Sequence, residues 1–97
     1  MKKAYCIHLT IRCDTGVECL AKFQIGSDKK IALELFHRLK GNRSPTEHDV
    51  IYMEFFELSN DLPLSLDIVS CTLEDIGENY KLITMEVFKS KLISLTD

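Results

Sequence analysis

The sequence has no long apolar run, and this absence counts against a membrane-spanning helix. No segment approaches the roughly 20 consecutive apolar residues that a helix needs to cross a bilayer. The first three residues, MKK, resemble the start of a signal peptide, but the apolar stretch behind them is short and is interrupted by His8, Thr10 and Arg12. We interpret that stretch as a strand and expect a cytoplasmic protein with no membrane contact.

Familiar catalytic and metal-binding motifs are also missing. The sequence has no glycine-rich phosphate loop, no Gly-x-Ser-x-Gly, no His-Glu-x-x-His and no zinc-ligand spacing. None of the four cysteines forms Cys-x-x-Cys, and the apolar content is sufficient for a core without disulfides. We therefore expect reduced thiols, no metal, no cofactor and no enzymatic activity.

Cys6 and His8 are the one pair that could carry chemistry. Both point to the same face of the first predicted strand, and such a couple can activate a thiolate or bind a metal. Two ligands are too few for a structural metal site. We interpret them as two unrelated surface side chains.

Basic residues are missing from the middle of the chain. Residues 44–80 contain nine Asp or Glu and no Lys or Arg, whereas residues 1–43 contain nine Lys or Arg against four Asp or Glu. Such asymmetry can orient a partner or promote head-to-tail contact. The alternative is a solvated surface whose charges happen to segregate.

The clearest local signal is a β-hairpin over Ala4–Gly26. Apolar residues occupy every odd position from Tyr5 to Cys13, and the alternation resumes after Asp14-Thr15-Gly16. Asp favours the start of a turn, and Gly supplies the positive φ at the end of a three-residue loop. The odd positions are therefore expected to face the core.

This turn fixes a register for the hairpin. Ile11 is expected opposite Cys19, and Arg12 opposite Glu18 as a favourable pair of charges. Cys13 and Cys19 then become diagonal neighbours on the buried face, too far apart for a disulfide. We predict that they are not joined.

Next, the apolar spacing after Ser27 predicts a helix over Asp28–Lys40. Ser27 is the expected N-cap, and Gly41 is the expected left-handed residue that ends the helix. Near the other end of the chain, Thr72 begins a second helix that is expected to continue to about Leu92.

Two points in the second half stay open. The pattern of residues 50–58 predicts a strand, and a turn at residues 60–61 would form a hairpin with Phe55 opposite Leu66. The same register places Glu54 opposite Asp67, and like charges in that position are unfavourable. A meandering connection over residues 62–71 is the alternative to a fourth strand. Gly77 opens another alternative, a turn followed by a strand over residues 80–92.

Together these elements predict one small α+β domain over residues 1–97. The order is ββαββα, and the architecture is a two-layer sandwich, in which a mostly antiparallel four-stranded sheet packs both helices on one face.

Such a sheet would leave apolar residues on the face that no helix covers. Uncovered apolar strand surface usually marks a contact with another chain, although burial of the third strand on both sides is the alternative. The candidate interface residues are Val50, Tyr52, Phe56, Leu58 and Val69. The leading hypothesis is a non-catalytic protein–protein interaction or regulatory module that forms a homodimer through this face.

Basic residues on and after the first helix motivate a different function. They are Lys29, Lys30, Arg38, Lys40 and Arg43. They could contact phosphates, so the alternative hypothesis is a regulator that binds nucleic acid. No aromatic residues are interleaved with them as in single-strand readers, and the chain as a whole is acidic. A solvated helix face is therefore the simpler interpretation.

Overall fold

The structure, a computed structural model, describes the backbone of residues 3–96 and the side chains of residues 3–91. Residues 1, 2 and 97 of the predicted domain lie outside the described residues. Six elements follow one another in the described part: β1 (Lys3–Cys13), β2 (Gly16–Gly26), α1 (Lys29–Arg38), β3 (Ile51–Ser59), β4 (Leu62–Ser70) and α2 (Leu73–Thr96). The predicted α+β class and ββαββα order are confirmed, and the strands form one antiparallel sheet in the order β2-β1-β3-β4.

Both helices contribute side chains to a buried cluster that also contains residues from the sheet. From α1, the ring of Phe36 stacks on Phe55 of β3 with centroids 5.3 Å apart. From α2, Ile83 belongs to the same cluster, and the amide nitrogen of Asn79 lies 3.6 Å from the sulfur of Met53. Phe55 and Met53 are two residues apart on β3 and so point to the same side of the sheet. We name this side the core face and the opposite side the outer face.

The pairing of β1 with β2 agrees with the prediction in the middle of the strands and differs near the turn. Leu9 pairs with Ala21 as predicted, whereas the next residue, Thr10, pairs with Cys19. Leu20 is the extra residue of a β-bulge, which changes the register by one. The chain then turns over two residues instead of the three predicted.

Because of this bulge, the side chains in the first half of β2 point to the opposite face of the sheet from the one predicted. Paired residues of neighbouring strands point to the same side of the sheet. Cys19 therefore lies on the outer face, and Val17 lies there with Arg12. The predicted pairs of Ile11 with Cys19 and of Arg12 with Glu18 are wrong. The polar and apolar alternation of the sequence cannot reveal where one strand takes an extra residue.

A second hairpin is present, and β4 is its second strand. Phe56 pairs with Ser65, as the predicted register requires, but Phe55 pairs with Asp67. Leu66 is the extra residue of this second bulge, so the predicted pairing of Phe55 with Leu66 is wrong.

The bulge in β4 removes the repulsion that the predicted register contained. Instead of lying opposite Glu54, Asp67 pairs with a core-face residue, and its carboxylate lies 3.8 Å from Nε2 of His37 on α1. The bulge also places Val69 on the core face, where it pairs with Met53 and is fully buried. Separation of like charges and burial of a valine side chain both favour the bulged register.

Helix α1 begins and ends at slightly different residues from those predicted. Asp28, instead of Ser27, is the N-cap, since its Oδ1 accepts a hydrogen bond of 3.2 Å from the backbone N–H of Ile31. The helix ends at Arg38, two residues before the predicted Lys40, and Leu39 is its C-cap, with its N–H donating to the carbonyl oxygen of Phe36. Gly41 has a positive φ of 145°, but it lies beyond this cap.

Helix α2 begins with the predicted capping box. The backbone N–H of Asp75 donates to Oγ1 of Thr72 at 3.1 Å, and the N–H of Thr72 donates to Oδ2 of Asp75 at 3.0 Å. The helix continues through Gly77 without interruption, so residues 80–92 are helical and the alternative strand is excluded.

Candidate interaction surface

Four residues lie side by side across the middle of the outer face. His8 of β1 pairs with Lys22 of β2 on one side and with Glu54 of β3 on the other, and Glu54 pairs in turn with Ile68 of β4. The ring of Phe56, on the same face, has its centroid 4.5 Å from that of His8. The core contacts of α1 and α2 lie on the other side of the sheet, so this row of residues is the centre of the candidate surface.

In the structure, the five predicted interface residues differ in their exposure to solvent. Val50 is 49% exposed, and Phe56 and Leu58 are half-buried. Tyr52 is only 7% exposed. The prediction for Val69 is wrong, because the bulge in β4 places it in the core with an exposed fraction of 0%.

Tyr52 is buried because Arg12 and a neighbouring loop cover it. The guanidinium carbon of Arg12 lies 5.4 Å from the centroid of the tyrosine ring, and its Nη1 donates to the carbonyl oxygen of Glu47. The hydroxyl of Tyr52 donates to the carbonyl oxygen of Asp49 at 2.5 Å. Residues 46–49 therefore close one end of the outer face, and the middle of the strands remains accessible.

Cys6 and His8, predicted to be unrelated side chains, are in contact. Sγ of Cys6 lies 3.4 Å from Nε2 of His8. Burial raises the pKa of the Cys6 thiol, an effect that nearby Lys22 opposes. Burial also lowers the pKa of His8, and Lys22 lowers it further, whereas Glu54 raises it. Both shifts favour a neutral thiol beside a neutral imidazole over the ion pair that an activated thiolate requires.

The four cysteines are free, and their different burial predicts different reactivity toward a thiol reagent at mild alkaline pH. Burial raises the pKa of the Cys71 thiol to about 11. Its thiolate fraction, and hence its reaction rate, should be roughly 100-fold lower than that of an unperturbed cysteine. Exposed Cys19 should react first, and buried Cys6 slowly. Time-resolved thiol titration of the native protein measures these rates.

Two controls make the assignment of the thiol phases unambiguous. The variant Cys19→Ser should lose the fast phase, and the protein in denaturant should give four thiols. A Cys6 that reacts as fast as Cys19 would contradict the neutral Cys6–His8 pair.

Arg43, one of the predicted basic residues, caps the end of α1. Its Nη2 donates to the carbonyl oxygens of Phe36, His37 and Leu39 at 3.1, 3.1 and 2.6 Å. The guanidinium also lies over the ring of Phe36, 5.3 Å from its centroid. A cation at the carbonyl groups of a helix C-terminus stabilises the helix end, so Arg43 has a structural role.

Three more of the basic residues have acidic partners. Arg38 Nη1 lies 3.2 Å from Oε1 of Glu86, and Lys40 Nζ lies 2.6 Å from Oε2 of Glu78. The hydrogen bond to Glu78 raises the pKa of Lys40. Lys29 lies 3.9 Å from Oε1 of Glu57. Of the five predicted residues, Lys30 and Arg43 have no ion pair in the described part of the chain, and Arg43 is held by the helix carbonyl groups instead.

Buried Glu57 was not predicted from the sequence. The hydroxyl of Tyr5, its cross-strand neighbour, donates to Oε1 at 2.9 Å. Lys3 lies 3.6 Å from Oε2. Burial, and then the hydrogen bond to Glu57, raises the pKa of Tyr5. The sequence gives no signal for this cluster, because the pairing of β1 with β3 depends on the strand order.

Asn79 of α2 is a second buried polar residue that the sequence did not indicate. Its Oδ1 accepts from the backbone N–H of Lys40 at 2.7 Å, and its Nδ2 donates to the carbonyl oxygen of Lys40 at 2.8 Å. The side chain thus joins α2 to the segment that follows α1. We assign it a structural role.

A cleft of about 770 Å³ lies between β2, α1 and α2. Its lining includes Phe23, Ile31 and Val87. Two charged residues in the lining, Arg38 and Glu86, form an ion pair with each other. Its lining also includes Lys22, so the cleft and the row of residues on the outer face share this one residue of β2.

Comparisons with known protein families, with curated proteins and with solved structures found no match to this chain. Within the described residues, no three His, Cys, Asp or Glu side chains come together as a metal site would require. No helix in that part of the chain has the length and apolar character for a membrane crossing.

Proposed function

We propose that this protein is a non-catalytic interaction module that associates with a second copy of itself through the outer face. The observation that carries the proposal is the accessible centre of this face, where the half-buried ring of Phe56 lies against His8 and half-buried Leu58 follows Phe56 on the same face of β3. Apolar side chains on strand surface gain from contact with a complementary surface. Two sheets that pack face to face, about 10 Å apart, bury such side chains between them.

The accessible area sets an expectation for the affinity. Three strands about 4.8 Å apart and nine residues long, at about 3.3 Å per residue, give a face of roughly 14 by 30 Å. Two such faces bury roughly 840 Å² in total, which is below the range of stable specific interfaces and typical of weak, transient contacts. The self-association is therefore reversible and weak.

The Cys6–His8 contact supports a non-catalytic role. The directions of both pKa shifts favour the neutral pair, whereas nucleophilic catalysis by cysteine uses the thiolate. Reduced cysteines fit a cytoplasmic location, which we propose as well.

Nucleic-acid binding has less support than self-association. Arg43 interacts with the helix carbonyl groups, and Arg38, Lys40 and Lys29 have carboxylate partners. Contact with phosphates would have to break these interactions. The alternative predicts an affinity that falls steeply with salt, and titration of labelled DNA or RNA at low salt tests it.

We predict that Phe56→Asp abolishes self-association of the protein. A carboxylate in the centre of the apolar patch would have to lose its water in the dimer, so association should weaken at least about 100-fold. Sedimentation equilibrium from about 1 µM to about 1 mM measures the dissociation constant of both proteins.

The matched control is Phe88→Asp. Phe88 lies on α2, lines the cleft and is 64% exposed, so the same change in chemistry occurs away from the outer face. This variant should associate like the parent. A parent that is monomeric over the whole range, or a Phe56→Asp variant that associates like it, would refute the proposal.

A further inference from the structure

The charge asymmetry of the sequence becomes a spatial asymmetry of the sheet. Strands β2 and β1 come from the basic first part of the chain, and β3 and β4 come from the acidic middle part. In the strand order β2-β1-β3-β4, the two strands from the basic part form one half of the sheet and the two strands from the acidic part form the other half. One half of the outer face therefore carries Lys22, and the other half carries Glu54.

Lys22 and Glu54 lie on either side of His8, one strand away in each direction. Two strand spacings, about 9.6 Å, separate them, so they do not form an ion pair within one chain. Oε2 of Glu54 accepts a hydrogen bond of 2.5 Å from Oγ of Ser65. Neither residue has an ion pair in the part of the chain that the structure describes.

We infer that the two copies are related by a twofold axis that runs parallel to β1 and passes over His8. This inference rests on the self-association proposed above. A twofold rotation about that axis places β2 of one copy over β3 of its partner, and each contact occurs twice. Lys22 of each copy then lies over Glu54 of the other, and the two charges that have no ion pair within the chain become partners between chains.

The position of the axis follows from these charges. An axis midway between β1 and β3 would overlap all four strands, but it would place Lys22 over Ile68. The ammonium group would then lose water without gaining a partner, which is unfavourable. An axis over β1 overlaps three strands and pairs both charges. Opposite charges that meet across an interface also fix the orientation in which two surfaces associate.

Charge reversal tests this geometry. We expect Lys22→Glu and Glu54→Lys each to weaken self-association at least about tenfold, because each places two like-charged pairs in the dimer. A mixture of the two single variants should form heterodimers at close to the parent's affinity, since both contacts between them again join opposite charges. The double variant should also recover the affinity of the parent. Sedimentation equilibrium of each variant and of the labelled mixture measures these constants.

Matched controls separate local pairing from net charge. Lys30→Glu and Glu34→Lys, both at exposed positions of α1, change the net charge by the same amounts and should leave the affinity unchanged. Circular dichroism and urea unfolding of every variant establish that it is folded. Single variants that associate like the parent, or a mixture that does not recover, overturn the inferred axis. If Phe56→Asp still abolishes association in that case, the outer face is the interface and only the geometry is wrong.

Discussion

Asn79→Ala should destabilise the protein by roughly 1–3 kcal/mol, because the substitution removes the two hydrogen bonds by which the buried amide joins α2 to the main chain of Lys40. Asn79 is 1% exposed, and both of its short hydrogen bonds are to the main chain of Lys40. Its Nδ2 also lies 3.6 Å from the sulfurs of Met53 and Cys71. Equilibrium unfolding in urea measures the free-energy difference between the parent and the variant.

Asn42→Ala is the matched control for this prediction. Oδ1 of Asn42 accepts one exposed hydrogen bond, from the N–H of Ser44, and its bridge to Ser70 uses only backbone atoms, which alanine keeps. The control should cost less than about 1 kcal/mol. Equal losses at the two positions would show that the Asn79 amide does not hold α2 to the segment after α1.

Gly41→Ala and Gly77→Ala should change the stability in opposite directions. At Gly41 the backbone φ is 145°, and a Cβ would meet the carbonyl oxygen of Ser70 and, at 2.6 Å, Cγ2 of Val69. Overpacking together with an unfavourable φ should cost roughly 3 kcal/mol or more.

At Gly77 nothing lies within 4 Å of the added Cβ, and the residue is inside α2. Alanine there should stabilise the protein by about 0.5–1 kcal/mol, since glycine loses more backbone freedom on folding. The pair serves as its own control, because the chemical change is identical. Unfolding curves that shift in the same direction for both variants would contradict the packing around Gly41.

The backbone near Gly41 cannot easily move away from the methyl group that Gly41→Ala adds. The N–H of Asn42 donates to the carbonyl oxygen of Ser70 at 2.8 Å, and the N–H of Ser70 donates to the carbonyl oxygen of Asn42 at 3.0 Å. These two bonds hold the segment after α1 against the end of β4. A shift that made room for alanine would break them, which is the reason for the large expected loss.

Features that depend on neighbours in the sequence were predictable. The alternation of β1, the turn at residues 60–61 and the capping box of Thr72 and Asp75 all follow from side chains within a few residues of each other. Together they led to the confirmed ββαββα order. The same local rules gave the outer-face positions of Phe56 and Leu58, because neither lies beyond a bulge.

Features that depend on contacts between distant segments were not predictable. Whether a strand takes an extra residue is decided by the total burial and charge pairing on both faces, and these depend on which elements lie opposite. The bulge at Leu20 moved Cys19 to the outer face, and the bulge at Leu66 moved Val69 into the core.

The sequence by itself determined the identity and order of the elements, since hydrophobic period, caps and turns act within one segment of chain. Only the tertiary structure decided the strand order β2-β1-β3-β4, which places Lys22 and Glu54 on either side of His8. It also decided that Asn79 would be buried against Lys40, 39 residues away in sequence. These outcomes required tertiary structure because a charge or an amide is stabilised by its partner in space, and no local pattern states where that partner will lie.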